Sequence, residues 1–481
     1  MNSIKTALAK YNKMSLPVKA AAWYSVCNIL QKGISFLVVP LYVRLLTTAE
    51  YGEYTVFQSW RDVLIIFATL NLYCGVFTKA MVDYQDDRDR YTSSMQGLSS
   101  LITGGLLAVY LLRPGFWNGL LDMGTVTMLL MFVYFLVFPA FSFWSVRQRV
   151  EYKYKRMVIV TLAVSVLTPV VSIALLVFTE LRANAVIWGF LITQNAVGLF
   201  FYVMNFIRGK CFFHKAYWKH AFFFNIPLIP HYLSLIVLGQ ADRIMIKSIC
   251  GADKAGIYSL AYSISLLLNV IIAAINNSLT PWMYEKLKHK DFGKISKTGN
   301  GICMLIGLMT VGVMLIAPEL VMILGTAEYA QAIWVMPAVS MSVFFTFCYG
   351  LYSNIEFYYS ATGYVMVAST VGAVLNIILN ALLIPVFGFV AAGYTTLASY
   401  FVLLVVHYFF ARKVSRKNIG GAQVLDVKTM VLLSLALVGM MCLCLLLYSN
   451  TVVRYVVIVL MLLAVAAFRK KLMAFVKNLL K

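Results

Sequence analysis

Apolar runs of about twenty residues recur along this chain, and that spacing leaves few folds open. As an α-helix, a run of that length crosses the hydrocarbon core of a bilayer. Fourteen are read, at residues 20–43, 54–77, 94–112, 126–146, 157–178, 185–207, 221–239, 255–283, 301–324, 330–353, 365–384, 388–410, 430–448 and 452–468. Between them the chain is only 12% charged and 62% hydrophobic, with a mean hydropathy of +0.84. A water-soluble domain carries about 25% charged residues, so this chain lacks the polar surface to face water. The expectation is an all-α, polytopic membrane protein of about fourteen transmembrane helices. Its longest loops are too short to hold a soluble domain.

The formal charge of +22 raises the question of nucleic acid, and its distribution answers it. Lys and Arg favour the cytoplasmic loops of membrane proteins. With the N-terminus placed inside, 31 of the 40 basic residues fall in the tails and alternate loops on that side, and 7 fall opposite. Lys5, Lys10, Lys13 and Lys19 open the chain, and Arg469, Lys470, Lys471, Lys477 and Lys481 close it. We therefore expect a multi-pass protein of the cytoplasmic (plasma) membrane with both termini cytoplasmic and no nucleic-acid partner. The N-terminus lacks the short apolar core of a cleavable signal peptide. The eight cysteines form no C-x-x-C, and the five histidines have no ligand spacing. They predict neither a metal nor a cofactor.

The segment 240–284 places Asp242 and Arg243 between two apolar runs and turns through Gly251 to Tyr258 into a helix bearing Asn269, Asn276 and Asn277. A thinner copy of that turn runs from Thr47 to Tyr54. A shift of 204 residues pairs Gly52 with Gly256, Tyr54 with Tyr258, Gln96-Gly97 with Asn300-Gly301, and Pro114 with Pro318. Transporters are commonly built from such repeats. The reading is two pseudo-symmetric six-helix lobes, residues 1–210 and 211–412, in parallel orientation, with a linker and two additional helices over 413–481.

Charges inside the runs mark candidate sites, because a basic residue at a helix centre costs about 2.5–3.5 kcal/mol on insertion scales. Lys32 lies midway along the first run, too far from either interface for easy snorkelling. Arg61 lies about two turns into the second, with Asp62 beside it. Neighbours on a helix face different ways, so each is expected to need its own partner. Asp242 and Arg243 are placed after the seventh run, near its outer end, either as a salt bridge pinning the turn or as a substrate contact. Lys32, Arg61 and Arg243 together would make a cationic chamber suited to an anion such as a diphosphate. Asp62, Asp242, Asn269, Asn276 and Glu356 are supporting polar or coupling candidates, with Glu356 at a predicted cytoplasmic turn. Asn225, Pro227 and Pro230 should break the seventh helix, since proline donates no backbone hydrogen bond. Residues 83–89, DYQDDRD, have carboxylate spacings that hold Mg²⁺ against diphosphate in enzymes. Without a second acidic cluster they read as a solvated turn.

The string from Ala241 through Tyr262 (ADRIMI…GADKAGIYSLAY), with Pro281-Trp282-Met283-Tyr284 and LNIILNALLIPVFG over 375–388, resembles bacterial polysaccharide-biosynthesis flippases of the O-antigen and exopolysaccharide type. These belong to the multidrug/oligosaccharidyl-lipid/polysaccharide exporter superfamily. The resemblance covers nearly the whole chain. It implies two six-helix lobes around a cavity whose cations attract diphosphate. It also implies translocation of undecaprenyl-diphosphate-linked oligosaccharide to the outer leaflet by alternating access, without bond making. An H⁺ or Na⁺ coupling ion, a glycan polymerase and glycosyltransferases are the partners to expect. A cation-coupled small-molecule exporter of the same superfamily is the nearer alternative. A membrane polymerase or ligase is the farther one, since the outer loops are short.

Overall fold

The structure, a computed structural model, describes residues 15–479. Lys5, Lys10, Lys13 and Lys481 of the two basic ends lie outside the described residues. Among the described residues all regular structure is helical. Twelve stretches among the described residues are long and apolar enough to cross a membrane, against the fourteen expected. The second run and the last account for the difference. The second belongs to α2 (Thr48–Thr69), which carries Glu50, Glu53, Arg61 and Asp62. Of the last, the described residues give a shorter apolar stretch, Thr451–Ala467.

The chain forms two compact units. One takes in residues up to Leu46 together with Glu53–Ile236, the other Thr47–Gly52 and everything from Val237. The first holds α1 (Leu16–Leu45), most of α2, α3 (Gly75–Asp83), α4 (Arg88–Leu112), α5 (Pro114–Leu121), α6 (Thr125–Val150), α7 (Tyr154–Phe178), α8 (Ala183–Gly209), α9 (Lys215–Asn225) and the start of α10 (Ile229–Cys250). Helix α8 packs on α4, α6 and α7, and α1 on α7. Phe57, Phe77, Tyr91, Phe135 and Phe143 are wholly buried at the core.

The run 54–77 is not one helix. The Thr69 hydroxyl donates to Ile65 O at 2.7 Å and accepts from Asn71 N–H at 3.2 Å. Leu70 and Asn71 then both adopt φ 48°. The break is held from across the unit by Asn225, whose amide donates to Leu70 O at 2.8 Å. Asn225 also ends α9, and Pro227 falls in the 3₁₀ turn Ile226–Leu228 before α10, as the prolines predicted. Residues 83–89 are more than a solvated turn. The Asp87 carboxylate accepts from Tyr217 Oη, and Asp89 pairs with Arg147. The acids are thereby committed to fastening α4 to α6 and α9.

The second unit continues with α11 (Ala252–Ser265), α12 (Leu267–Lys288), α13 (Phe292–Leu315), α14 (Ala317–Leu324), α15 (Met336–Tyr358), α16 (Thr362–Phe387), α17 (Val390–Ile419), α18 (Val427–Leu447) and α19 (Thr451–Leu479). Helix α15 is its axis, packed against α11, α12, α13, α16, α17 and α18. Lipid is as apolar as Leu, so close packing and interhelical hydrogen bonds hold such a bundle together. The eighth run is divided at Leu266, where α11 gives way to α12.

The two related turns use different chemistry. Thr47 and Glu50 form a reciprocal capping box: Glu50 Oε2 accepts from Thr47 N–H at 2.8 Å, and Thr47 Oγ1 accepts from Glu50 N–H at 3.3 Å. Gly251 opens α11 at φ 98°, a conformation that suits glycine. The paired glycines then meet. A Cβ on Gly52 would stand 1.8 Å from Ala252 O, and one on Gly256 2.0 Å from Thr48 O. Pro114 and Pro318, also paired by the shift, each open an eight-residue helix.

Candidate functional site

Helix α10 runs on to Cys250, so Asp242 and Arg243 lie inside a helix rather than beyond its end. Asp242 is fully buried, and three helices bring neutral donors to it. Tyr258 Oη of α11 and Thr396 Oγ1 of α17 both donate to Oδ2, at 2.5 and 2.6 Å. Asn380 Nδ2 of α16 donates to Oδ1 at 2.6 Å. A second ring of bonds fixes these donors. Asn376 Nδ2 donates to Thr396 Oγ1 at 3.1 Å, Asn380 Nδ2 to Asn376 Oδ1 at 3.2 Å, and Thr395 Oγ1 to Asn380 Oδ1. A lone carboxylate is very costly in an apolar interior. Here a closed set of hydroxyl and amide dipoles stands where a counter-charge would.

Arg243 points another way. Its Nη1 donates to Gly239 O at 2.7 Å and to Gln240 Oε1 at 2.8 Å, and its guanidinium lies 4.4 Å from the centroid of Tyr262. The expected pin at the turn is therefore a pair of separate anchorings, since successive helical residues diverge. Asn269 and Asn276 lie on α12, both partly exposed.

In the first unit, Lys32 is exposed on α1 and has no hydrogen bond or ion pair among the described residues. Its neighbour Gln31 is tied to α7 through Ser165 at 3.2 Å. Arg61 and Asp62 do not take separate partners as expected. Arg61 Nη2 and Nε reach Asp62 Oδ1 at 2.6 and 2.9 Å. The long arginine stem lets the guanidinium fold back along the helix, where it also lies 4.7 Å from the ring centroid of Phe190.

Glu356 is not at a turn. Helix α15 continues to Tyr358, and Glu356 is fully buried two residues before its end. Its two carboxyl oxygens lie 3.1 and 3.0 Å from Nδ1 of His407 on α17. The imidazole is stacked on Tyr349, with centroids 5.2 Å apart and planes 12° from parallel. Among the described residues no group of three His, Cys, Asp or Glu side chains is arranged to hold a metal ion.

Sequence reasoning reached Asp242 and Glu356 but not the side chains around them. Asn376 and Asn380 carried a signal, since two amides four residues apart in an apolar helix share one face. Thr395, Thr396 and His407 gave none, because threonine and histidine are unremarkable residues in a helix of 30 residues.

Comparison with known proteins agrees with this architecture. The profile of the family described as "Polysaccharide biosynthesis protein" matches residues 18–287. Two proteins of Haemophilus influenzae are similar. "Lsg locus putative protein 1" is 23% identical over 289 residues, covering 56% of this chain and 67% of that protein. An uncharacterized membrane protein is 26% identical over 290 residues, covering 57% and 67%. Among solved structures, the lipid II flippase MurJ in an inward closed conformation matches with a TM-score of 0.65 at 15% identity, over 93% of this chain and 99% of that one. A MOP-superfamily transporter from Pyrococcus furiosus matches with a TM-score of 0.58 at 13% identity, over 83% and 96%. The chain therefore belongs to the polysaccharide biosynthesis protein family and is built on the fold of MOP-superfamily flippases and transporters.

Proposed function

We propose that this protein moves a polyprenyl-diphosphate-linked oligosaccharide, of the undecaprenyl type, from the inner to the outer leaflet of the cytoplasmic membrane by alternating access. The lobes over 1–210 and 211–412 would move against each other, with both termini cytoplasmic. No bond in the substrate is made or broken. The observation that carries the substrate class is Lys32, an exposed cation midway along an apolar helix, without a partner among the described residues. A cation so placed favours an anionic ligand. Arg61 is the second contact, and a diphosphate would compete with Asp62 for its fork. Arg243 is nearly buried and already bonded to its own helix, so it serves by holding Tyr262 and the Asp242 site in place. Asp242, with Asn376, Asn380 and Thr396, is where a Na⁺ coupling ion would act. Glycosyltransferases supply the substrate, and a polymerase consumes it.

The test is genetic and biochemical. Deleting the gene is expected to abolish the surface glycan and to trap its lipid-linked precursor on the cytoplasmic side. Unaltered glycan with no trapped precursor would remove the flippase reading. A small-molecule exporter on the same fold instead predicts drug sensitivity on deletion, with surface glycan intact.

A further inference from the structure

The two buried carboxylates of the second unit are treated in opposite ways. Asp242 is caged by hydroxyl and amide donors, while Glu356 is given a base. An asparagine or threonine at 407 would satisfy Glu356 by hydrogen bonding as those residues satisfy Asp242. Histidine adds a ring nitrogen that can take up or give back a proton. We propose that Glu356 and His407 form a proton-binding site, that the pair holds one proton between them in this conformation, and that Tyr349 is its cover.

The chemistry follows from charge and burial. With one proton shared, the pair is neutral overall, as GluH·His or Glu⁻·His⁺. Removing that proton leaves a bare carboxylate, and adding a second leaves an uncompensated imidazolium. Both are disfavoured where water is excluded. The pair itself is out of contact with water, since Glu356 and His407 are both buried. The neighbouring helices bring up no second acid against the pair among the described residues. Tyr349 of α15 stacks on His407 and on Tyr400 of α17, Tyr352 meets Tyr408 edge-on, and Cys303 of α13 lies against Cys348 of α15. The cation nearest in sequence, Arg412, is exposed and donates to Tyr408 Oη at 3.1 Å. Lys413 lies over the Tyr364 ring of α16, and Asp426 caps α18. His407 itself is buried, whereas Tyr349, lying flat on it, is partly exposed. Rotation of that one ring would uncover the imidazole, so proton exchange is tied to whatever moves Tyr349.

This inference rests on the transport reading only for its consequence, and two measurements separate them. In the first, the full-length protein in liposomes, without substrate, is taken through a pH change and followed by infrared difference spectroscopy. A carboxyl or imidazolium band is expected that Glu356→Gln and His407→Gln each remove. Identical difference spectra in wild type and Glu356→Gln would overturn the proton site. In the second, movement of a fluorescent polyprenyl-diphosphate disaccharide across the same liposomes is measured over about pH 5–9. The wild-type rate is expected to change by on the order of tenfold per pH unit on the limb set by one proton, and the Glu356→Gln rate to be flat. A folded Glu356→Gln protein with the wild-type pH profile would also overturn it. Wild type that moves no probe at any pH would instead sink the transport reading, leaving the infrared result to decide the proton site. Should Glu356→Gln fail to fold, Tyr349→Ala serves: it should speed hydrogen–deuterium exchange of the same band, and an unchanged rate removes the cover.

Discussion

Replacing Gly256 by Ala should cost stability out of proportion to one methyl group. The added Cβ would stand 2.0 Å from Thr48 O, 3.0 Å from Thr48 C and 3.1 Å from Gly52 N. These are backbone atoms, so no rotamer change relieves the clash. Ordinary carbon contacts begin near 3.5 Å, so the start of α2 would have to retreat from α11 by about 1.5 Å. Overpacking of this kind costs about 1–3 kcal/mol. The retreat also loosens the edge-to-face pair of Tyr51 and Tyr329, now 6.3 Å between centroids, a contact worth about 0.5–1.5 kcal/mol. Against this, alanine gains about 0.5–1 kcal/mol over glycine inside a helix. The net expectation is a loss of about 2 kcal/mol, or roughly thirtyfold in the folding equilibrium. Gly104→Ala is the control, since nothing lies within 4 Å of its Cβ position, and it should be neutral or slightly stabilising. The assay is denaturant unfolding in detergent micelles followed by circular dichroism. Gly52→Ala combined with Gly256→Ala should cost less than the sum of the two, because one displacement relieves both. If Gly256→Ala proves as stable as Gly104→Ala, the close approach of the two helices is wrong.

Around Asp242, Thr396→Val and Asn380→Ala should each destabilise by about 1.5–3 kcal/mol, the usual worth of a hydrogen bond to a charged group. Tyr258→Phe and Thr396→Val act on the same oxygen, so a double-mutant cycle should show coupling, and strict additivity would disprove the shared acceptor. Lys32→Ala should reduce surface-glycan complementation at least tenfold without loss of folded protein, and Arg61→Lys should be less harmful than Arg61→Ala; full complementation by both alanine variants would remove these cations from the mechanism. Glu151, in the loop between α6 and α7, gives a pH dependence. Burial alone would raise its pKa, but hydrogen bonds from Lys153 and Arg147 outweigh that and hold it below the usual carboxylate range. Its stabilisation should be complete above about pH 4.3, the unfolded value, and fade as pH falls through the lower folded one. Thermal melts of wild type and Glu151→Gln should therefore differ near neutrality and converge in acid.

Length and apolarity made most of the helices legible, because one run is enough to read a membrane span. Their ends were less so. The run 54–77 looked continuous because Leu70 and Asn71 are ordinary residues, and what breaks the helix there includes an amide from residue 225. Asp242 seemed to follow a helix because two charged residues in succession look like a loop. What makes Asp242 tolerable inside the helix is a set of donors on three other helices, while Arg243 bonds to its own. Glu356 was assigned to a turn because it lies past the end of the apolar run 330–353, and its partner lies 51 residues away. Charges inside helices can be found from one sequence. The neutral groups that make them tolerable are dispersed by the fold.

The Asp242 cage also constrains how the protein is made. Tyr258 is only 16 residues from Asp242, but Asn380 and Thr396 follow it by 138 and 154. During synthesis α10 and α11 enter the membrane long before α16 and α17 exist. An acidic residue at a helix centre costs about 2.5–3.5 kcal/mol on insertion scales. For that interval the nascent chain holds a carboxylate with one of its three donors, so it must stay protonated, tilt towards water or be sheltered by the insertion machinery. A chain that stops before residue 380 can never complete the cage. The acid thus works as a late checkpoint on biogenesis, satisfied only when α16 and α17 have arrived.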